Sequence, residues 1–126
     1  KDILIKFWEI AQLANVFVGH NIMDFDLPFI IKRSIINSVN PKKFINFARY
    51  RKDNIYDTMK EWNNWSNNYT SLDVLAKILN LPSSKGDLKG SEVYRYYLEN
   101  KFNAIYEYCK KDVEVTRNIY KKLTFI

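Results

Sequence analysis

The chain has 126 residues, of which 47% are hydrophobic and 16% are aromatic, and its formal net charge is +6 at pH 7. This length allows at most one domain, and the apolar content is ample for a core and excludes a disordered chain. No apolar run approaches the roughly 20 residues that span a bilayer, and no signal-peptide pattern is present, so we expect no membrane partner. The single cysteine, Cys109, excludes an internal disulfide framework and is typical of a reducing compartment, which predicts a cytoplasmic location.

The N-terminal part of the chain predicts a helix, a buried strand and a second helix. Apolar side chains recur at helical spacing over residues 2–14. Residues 16–18 form a short, fully apolar run stopped by a glycine, which is typical of a buried strand. Asp26 is suited to cap the next helix, whose first turn contains Pro28.

The densest basic stretch of the chain follows that helix. Its members are Lys42, Lys43, Arg49, Arg51 and Lys52, interleaved with Phe44, Phe47 and Tyr50. Such a stretch can track a phosphate backbone while its rings stack on bases, and the positive net charge fits a nucleic-acid partner. The alternative, which carries more weight at this point, is a solvated loop whose rings turn inward.

The remainder of the chain predicts one more strand and four helices. Residues 54–57 are typical of a short strand that ends at Asp57, where helix capping is favoured over metal binding. Thr70 or Ser71 is expected to cap the second of the four helices. The helices are predicted over residues 58–65, 72–79, 91–100 and 103–123.

The two predicted strands do not make a complete sheet. Both strands are expected to be buried, and a buried strand needs neighbours on both sides. The chain supplies too few strands and begins with Lys1 inside a predicted helix. We therefore expect the sheet to begin upstream, and we expect an exposed apolar surface beside residues 16–18.

The last predicted helix carries a carboxylate, that of Asp112, within or beside its apolar stripe. Burying a lone carboxylate is costly unless it is paired or binds a metal. Tyr108 lies one helical turn earlier, about 5–6 Å away on the same face, so the phenol and the carboxylate could hold a metal and a water molecule. The alternative places Asp112 at the edge of the stripe, solvated or paired with Lys111. Taken alone, this segment favours that alternative.

Asp26 and Asn21 each have an ordinary interpretation as well. Asp26 can be a helix N-cap and Asn21 a turn residue after the first strand. Their position nevertheless points to function, because open sheets place their ligands where a strand end leads into a helix.

The motif Asn21-x-x-x-Phe25-Asp26-Leu27-Pro28 resembles the second exonuclease motif of family-B DNA polymerase proofreading domains. Tyr108-x-x-x-Asp112 resembles their third motif, in the tyrosine-bearing branch of the DEDD superfamily. A further set of segments is similar to stand-alone predicted 3′–5′ exonucleases related to those domains, and this likeness is closer still. The segments are Ser71-Leu72-Asp73 through Lys85, Gly90-Ser91-x-Val93 and Tyr108-Cys109. The similarity runs from about Phe17 to Tyr120, and the order and spacing of the motifs make chance agreement improbable.

The resemblance implies an α/β, RNase H-like exonuclease fold in which four carboxylates bind two divalent metal ions, Mg²⁺ or Mn²⁺. It assigns Asp26 and Asp112 to two of these carboxylates, and it assigns Tyr108 to orienting the nucleophilic water. Asn21 would position the Asp26 loop or contact the terminal nucleotide, and Phe25 would pack beside the primer end. Lys85, in a polar loop, is a candidate phosphate contact, with a solvated loop as the alternative.

One part of the family pattern is absent. The first motif, Asp-x-Glu at the end of the first strand, has no counterpart upstream of Asp26, and the one Asp-x-Glu in the chain begins at Asp112 in the last helix. We interpret residues 1–126 as the C-terminal portion of a single exonuclease domain that lacks the first strands of its sheet. The 126-residue chain is then expected to bind metal poorly and to cleave too slowly to be useful.

The leading hypothesis is therefore a metal-dependent 3′–5′ exonuclease in the parent protein, which hydrolyses terminal phosphodiesters of single-stranded nucleic acid to 5′-mononucleotides. The resemblance favours DNA ends as the partner, although no residue in the sequence visibly reads a 2′-hydroxyl. The alternative is a degenerate RNase H-like module that binds nucleic acid without catalysis. A proofreading domain of a larger polymerase is a third possibility.

Overall fold

The computed structural model describes residues 1–83 and 88–126. The chain divides into two compact units, Lys1–Asn67 (unit 1) and Asn68–Ile126 (unit 2). Each unit has its own cluster of buried apolar side chains. No helix among the described residues combines the length and the apolar character that crossing a membrane requires.

Unit 1 combines helices with a small parallel sheet. Its elements are α1 (Asp2–Ala11), β1 (Phe17–Gly19), a π-helical turn (Ile22–Asp26), α2 (Leu27–Ile36), β2 (Ile55–Asp57) and α3 (Thr58–Trp62). The two strands pair in parallel, with Gly19 opposite Asp57. The predicted order of helices and strands is thus confirmed, although α1 and α3 each end three residues earlier than the apolar periodicity indicated.

A buried hydrogen bond links the first two helices of unit 1. The indole Nε1 of Trp8 in α1 donates to Oγ of Ser34 in α2 at 2.9 Å, and both residues are buried. Ser34 in turn donates its hydroxyl hydrogen to the carbonyl oxygen of Ile30 at 2.8 Å. The polar atoms of this contact are therefore satisfied inside the core, where an unpaired group would be costly.

The two strands differ in burial. All of β2 is buried, as predicted, but Val18 in β1 is 38% exposed, so the prediction of a buried first strand is confirmed only in part. Successive strand residues point to opposite faces of a sheet. Phe17 therefore packs against the core of unit 1 while Val18 faces away from it. The expected exposed apolar surface beside residues 16–18 is confirmed, since Val16 is exposed as well.

Unit 2 is helical in its described part. Its elements are α4 (Leu72–Ile78), a 3₁₀ turn (Gly90–Glu92), α5 (Val93–Leu98) and α6 (Phe102–Leu123). Ser71 caps α4 as predicted, because its Oγ accepts the backbone N–H of Val74 at 3.2 Å. The core forms where α4 packs on α6, and it consists of Leu75, Ala76, Val115 and Ile119. The described architecture is a mixed helix and strand arrangement with a two-stranded parallel sheet, compatible with an α/β exonuclease-like domain.

Candidate active site

The chain turns sharply directly after β1. A Cβ atom on Gly19 would collide with the side chain of Ile22, so any larger residue there requires Ile22 to move. Asn21 adopts the left-handed backbone region with φ 60°, which asparagine tolerates better than most residues. The interpretation of Asn21 as a turn residue is therefore confirmed, and the π-helical turn begins at the next residue.

Asp57 holds this turn in place. The residue is 1% exposed, and its Oδ1 accepts the backbone N–H groups of Met59 at 3.0 Å and Lys60 at 3.2 Å, which caps α3 as predicted. The same carboxylate also accepts two N–H groups from the turn after β1, that of Asn21 at 2.9 Å and that of Met23 at 3.0 Å. Hydrogen bonds to a charged acceptor are stronger than neutral ones. Asp57 therefore fixes the backbone that leads to Asp26.

The second role of Asp57 was missed by the sequence analysis, which assigned it to helix capping alone. The signal that could have found it is the pairing of the two strands, since the ends of parallel strands meet at one edge of a sheet. A second link joins the same edge, because Nδ1 of His20 lies 2.8 Å from Oγ1 of Thr58. The Thr58 hydroxyl also donates to the carbonyl oxygen of Gly19 at 3.3 Å.

Asp24 is paired with two cationic side chains. One of its carboxylate oxygens lies 2.5 Å from Nζ of Lys60, a buried lysine, and the other lies 3.5 Å from the guanidinium of Arg49. These pairs draw Asp24 towards α3 and the basic stretch. Asp24 and Asp57 are therefore both occupied by partners within unit 1.

Asp26 ends the π-helical turn and is solvent-exposed. Its side chain makes no capping hydrogen bond to α2, so the N-cap interpretation is wrong for the side chain although α2 does begin at the next residue. Partial loss of hydration raises the pKa of Asp26, and the charge of Asp57 adds to that increase, while a hydrogen bond to its own backbone opposes it. In the described part of unit 1, Asp26 is thus the aspartate of this turn whose carboxylate remains available for a ligand.

Phe25 is held at the surface next to Asp26. Its ring is 63% exposed and lies nearly parallel to the exposed ring of Phe29, with an interplanar angle of 8° and a centroid separation of 6.5 Å. Met23, two residues earlier in the π-helical turn, points into the core, and Phe25 therefore lies on the outer side of the turn. The structure thus brings Asn21, Phe25 and Asp26 together on one turn of unit 1.

Tyr108 and Asp112 lie one turn apart on α6 in unit 2, and both are half-buried. Burial raises the pKa of Tyr108, and the negative charge of Asp112 raises it further. The two side chains are therefore close enough on α6 to interact electrostatically. A Cβ atom on Gly90 would lie 3.3 Å from the Tyr108 hydroxyl oxygen, so the backbone of the 3₁₀ turn passes close to this pair.

The donor set of each unit can be compared with what a divalent cation needs. Hard cations such as Mg²⁺ prefer carboxylate oxygens and often use only one or two of them, with water and substrate phosphate completing the shell. Asp26 in unit 1 and Asp112 in unit 2 are acidic side chains of this kind, so each fits as one ligand of such a site. Within residues 1–83 and 88–126, neither unit brings together three His, Cys, Asp or Glu side chains that could hold a metal ion by themselves.

Lys85, the predicted phosphate contact, lies outside the described residues.

Comparison with known proteins gives one match. A family model described as a predicted 3′–5′ exonuclease related to the exonuclease domain of PolB covers residues 1–126. The chain belongs to this family. No curated protein and no solved structure matches it. Membership of this exonuclease family confirms the resemblance that the two motifs indicated, and at a coarse level it makes the chain a member of a family of predicted hydrolases.

Proposed function

We propose that the protein is a metal-dependent 3′–5′ exonuclease with an RNase H-like fold, which removes 5′-mononucleotides from the ends of single-stranded nucleic acid, preferentially DNA. The observation that carries the proposal is the turn after β1. Its backbone is held by two hydrogen bonds to Asp57, and it leaves Asp26 exposed and free of cationic partners in the described part of unit 1. A rigidly held carboxylate at the end of a strand is suited to binding a ligand.

Asp26 and Asp112 would be ligands of Mg²⁺ or Mn²⁺ in this proposal. Two such ions, when bound, activate a water molecule and stabilise the leaving 3′ oxygen. Because the pKa of Asp26 is raised, protons compete with a cation for its carboxylate up to a higher pH than at an ordinary aspartate. Asn21 and Phe25, on the same turn, would contact the terminal nucleotide, and Lys85 would contact a phosphate.

Tyr108 would orient the attacking water. A phenol with the ordinary pKa of 10.0 is already protonated at neutral pH, and the raised pKa of Tyr108 extends this state to higher pH. The hydroxyl group therefore acts as a neutral hydrogen-bonding group and not as a phenolate ligand. A neutral hydroxyl group can hold a water molecule in place by hydrogen bonding, which is the role proposed for Tyr108.

A second candidate function is a nucleic-acid-binding module without catalysis. It is favoured by the observation that neither unit, within its described residues, groups three potential metal ligands. The two functions differ in one measurable property, which is cleavage, and they share the expected binding of single-stranded nucleic acid.

The deciding experiment uses the protein expressed from its complete reading frame and a 5′-labelled single-stranded DNA oligonucleotide, with Mg²⁺, Mn²⁺ or EDTA. We expect a ladder that shortens from the 3′ end with either metal and not with EDTA. Asp112→Asn and Asp26→Asn should each remove the ladder. Asp2→Asn is the matched control, because Asp2 is an exposed aspartate of unit 1 in the first turn of α1, outside the proposed site.

Each outcome has a distinct meaning. Binding of the oligonucleotide without any ladder supports the non-catalytic module and contradicts the exonuclease. A ladder that survives Asp112→Asn or Asp26→Asn contradicts the assignment of that residue. Equal activity on an RNA oligonucleotide of the same sequence contradicts the preference for DNA.

A further inference from the structure

A basic loop, defined here as residues 41–54, carries half of the basic residues of unit 1 and gives the unit its net positive charge. It contains five basic residues and one acidic residue, Asp53, whereas the rest of unit 1 contains five basic and six acidic residues. Clustered Lys and Arg on one segment are the electrostatic signature of a surface that binds polyanions. The sequence left open whether this loop is a nucleic-acid path or a solvated loop with inward rings.

The rings of the loop do not all turn inward. Phe44 is 85% exposed and Tyr50 is 74% exposed, while Phe47 packs against the core of unit 1. Because the Phe44 ring is exposed, it contributes little hydrophobic stabilisation to the folded chain. The expectation that the rings turn inward is therefore wrong for two of the three.

Both outward rings are held by an ordered loop. Ile45, next to Phe44, is buried in the core, and the backbone N–H of Asn46 donates to the side-chain oxygen of Asn54 at 2.8 Å. The Tyr50 ring lies 5.3 Å from the ring of Trp65 between centroids, at an angle of 51°. These contacts hold the backbone beside Phe44 and the ring of Tyr50 in place within unit 1.

The loop also touches the turn that carries Asp26. The guanidinium of Arg49 pairs with Asp24 at 3.5 Å and lies 5.5 Å from the centroid of the Trp65 ring. Asp24 stands two residues before Asp26 in the same π-helical turn. A strand whose 3′ end lies at Asp26 can therefore continue directly onto the basic loop.

We propose that the basic loop binds single-stranded nucleic acid upstream of the terminal nucleotide, with Phe44 and Tyr50 stacking on bases and Lys42 contacting a phosphate. This inference rests on the proposed function for the direction of the strand. Stacking on aromatic rings is tolerant of sequence, since every base has a π-face, so the loop should bind DNA or RNA of any sequence. A single strand fits better than a duplex, whose bases are not free to stack.

The test measures binding in EDTA by fluorescence anisotropy, with the protein from its complete reading frame. The probes are labelled oligothymidylate and oligouridylate of about 12 nucleotides, within the usual site size for such surfaces, and a dinucleotide that reaches only the turn. Phe44→Leu and Tyr50→Leu should each weaken binding of the long probes roughly 5- to 100-fold, as expected for loss of one stacked base. Binding of the dinucleotide should not change. Tyr69→Leu is the matched control, because Tyr69 is also 74% exposed but lies in unit 2.

Salt dependence separates the charge contacts from the stacking contacts. Lys42→Gln should reduce the slope of log affinity against log salt by about 0.7, the value for one phosphate contact on a single strand. The control Lys32→Gln, at an exposed lysine of α2, should leave the slope unchanged.

Unchanged affinity of Phe44→Leu and Tyr50→Leu for the long probes would overturn the proposal, and so would an absence of binding by the wild-type protein. A change of oligomeric state in these variants would show that the rings cover a second copy instead, which also overturns it. Loss of affinity in the loop variants, together with no ladder from the wild-type protein in Mn²⁺, would support the loop and contradict the exonuclease. A normal ladder from the wild-type protein, together with unchanged affinity in the loop variants, would support the exonuclease and contradict the proposed role of the loop.

Discussion

The carboxylate of Asp57 accepts the backbone N–H of Asn21 at 2.9 Å, although the two residues lie 36 positions apart. This hydrogen bond joins the end of β2 to the turn after β1, and a second one from Met23 adds to it. The position of Asp26 in the proposed site therefore depends on a residue that need not touch metal or substrate. Asp57 acts as a positioning residue.

Asp57→Asn should destabilise unit 1. An amide has one acceptor oxygen in place of two and brings a donor group against the N–H of Asn21 or Met23, so we expect a loss of about 2–4 kcal/mol in the free energy of unfolding. The measurement is urea denaturation followed by tryptophan fluorescence, because all three tryptophans of the chain lie in unit 1. The control Asp53→Asn should cost less than about 1 kcal/mol, since it removes only a surface pair. Equal losses for the two variants would contradict the role of Asp57.

Gly19→Ala should destabilise the turn through a single steric conflict. The added methyl group meets the side chain of Ile22, and overpacking of this kind costs about 1–3 kcal/mol. The double variant Gly19→Ala with Ile22→Ala tests the cause, because removal of the Ile22 branches leaves room for the methyl group. We expect the effect of Gly19→Ala to shrink in the Ile22→Ala background when both are measured by urea denaturation. Strict additivity of the two changes would show that the conflict lies elsewhere.

Asp26→Asn should stabilise the protein slightly at neutral pH in EDTA. The pKa of Asp26 is raised in the folded state above its ordinary value of 3.8, so the folded state disfavours the ionised carboxylate. The resulting penalty is absent below pH 3.8, grows as the pH rises through the folded pKa, and is constant above it. The gain in the free energy of unfolding is expected to be under about 1 kcal/mol because the residue is exposed. It should vanish in acid, and a gain that is independent of pH would contradict this explanation.

Asp112→Asn should lower the pKa of Tyr108 towards its ordinary value. Burial, the largest cause of the increase, remains in the variant, but the negative charge of Asp112 is removed. The pKa is measured from the ultraviolet absorbance of tyrosinate, as the difference between each protein and its Tyr108→Phe counterpart. An identical difference titration with and without Asp112 would mean that the two side chains do not interact.

The Tyr108 pair also has a consequence for stability. A tyrosine whose folded pKa is raised contributes stability that is fully present below its ordinary pKa of 10.0 and is lost as the pH rises through the folded value. Tyr108→Phe should therefore be less sensitive than the wild type to alkaline denaturation. Far-ultraviolet circular dichroism against pH measures this, and Tyr106→Phe, at an exposed tyrosine of the same helix, is the control.

Local patterns in the sequence were sufficient for the helices, the strands and the identity of the family. The apolar stripe of α6 and the cap at Ser71 arise from residues three or four positions apart, whose backbone contacts are set within one helical turn. The motifs that contain Asp26 and Asp112 are equally local. For this reason they could be found without coordinates.

Contacts between distant residues decided the rest. Whether Asp24 or Asp26 stays available depended on Lys60 and Arg49, which reach Asp24 only because β2 pairs in parallel with β1. The outward position of Phe44 likewise depended on Ile45 taking the neighbouring place in the core. Neither result follows from spacing along the chain. Which hydrogen bonds, ion pairs and buried side chains form depends on which surfaces come into contact when the strands and helices pack.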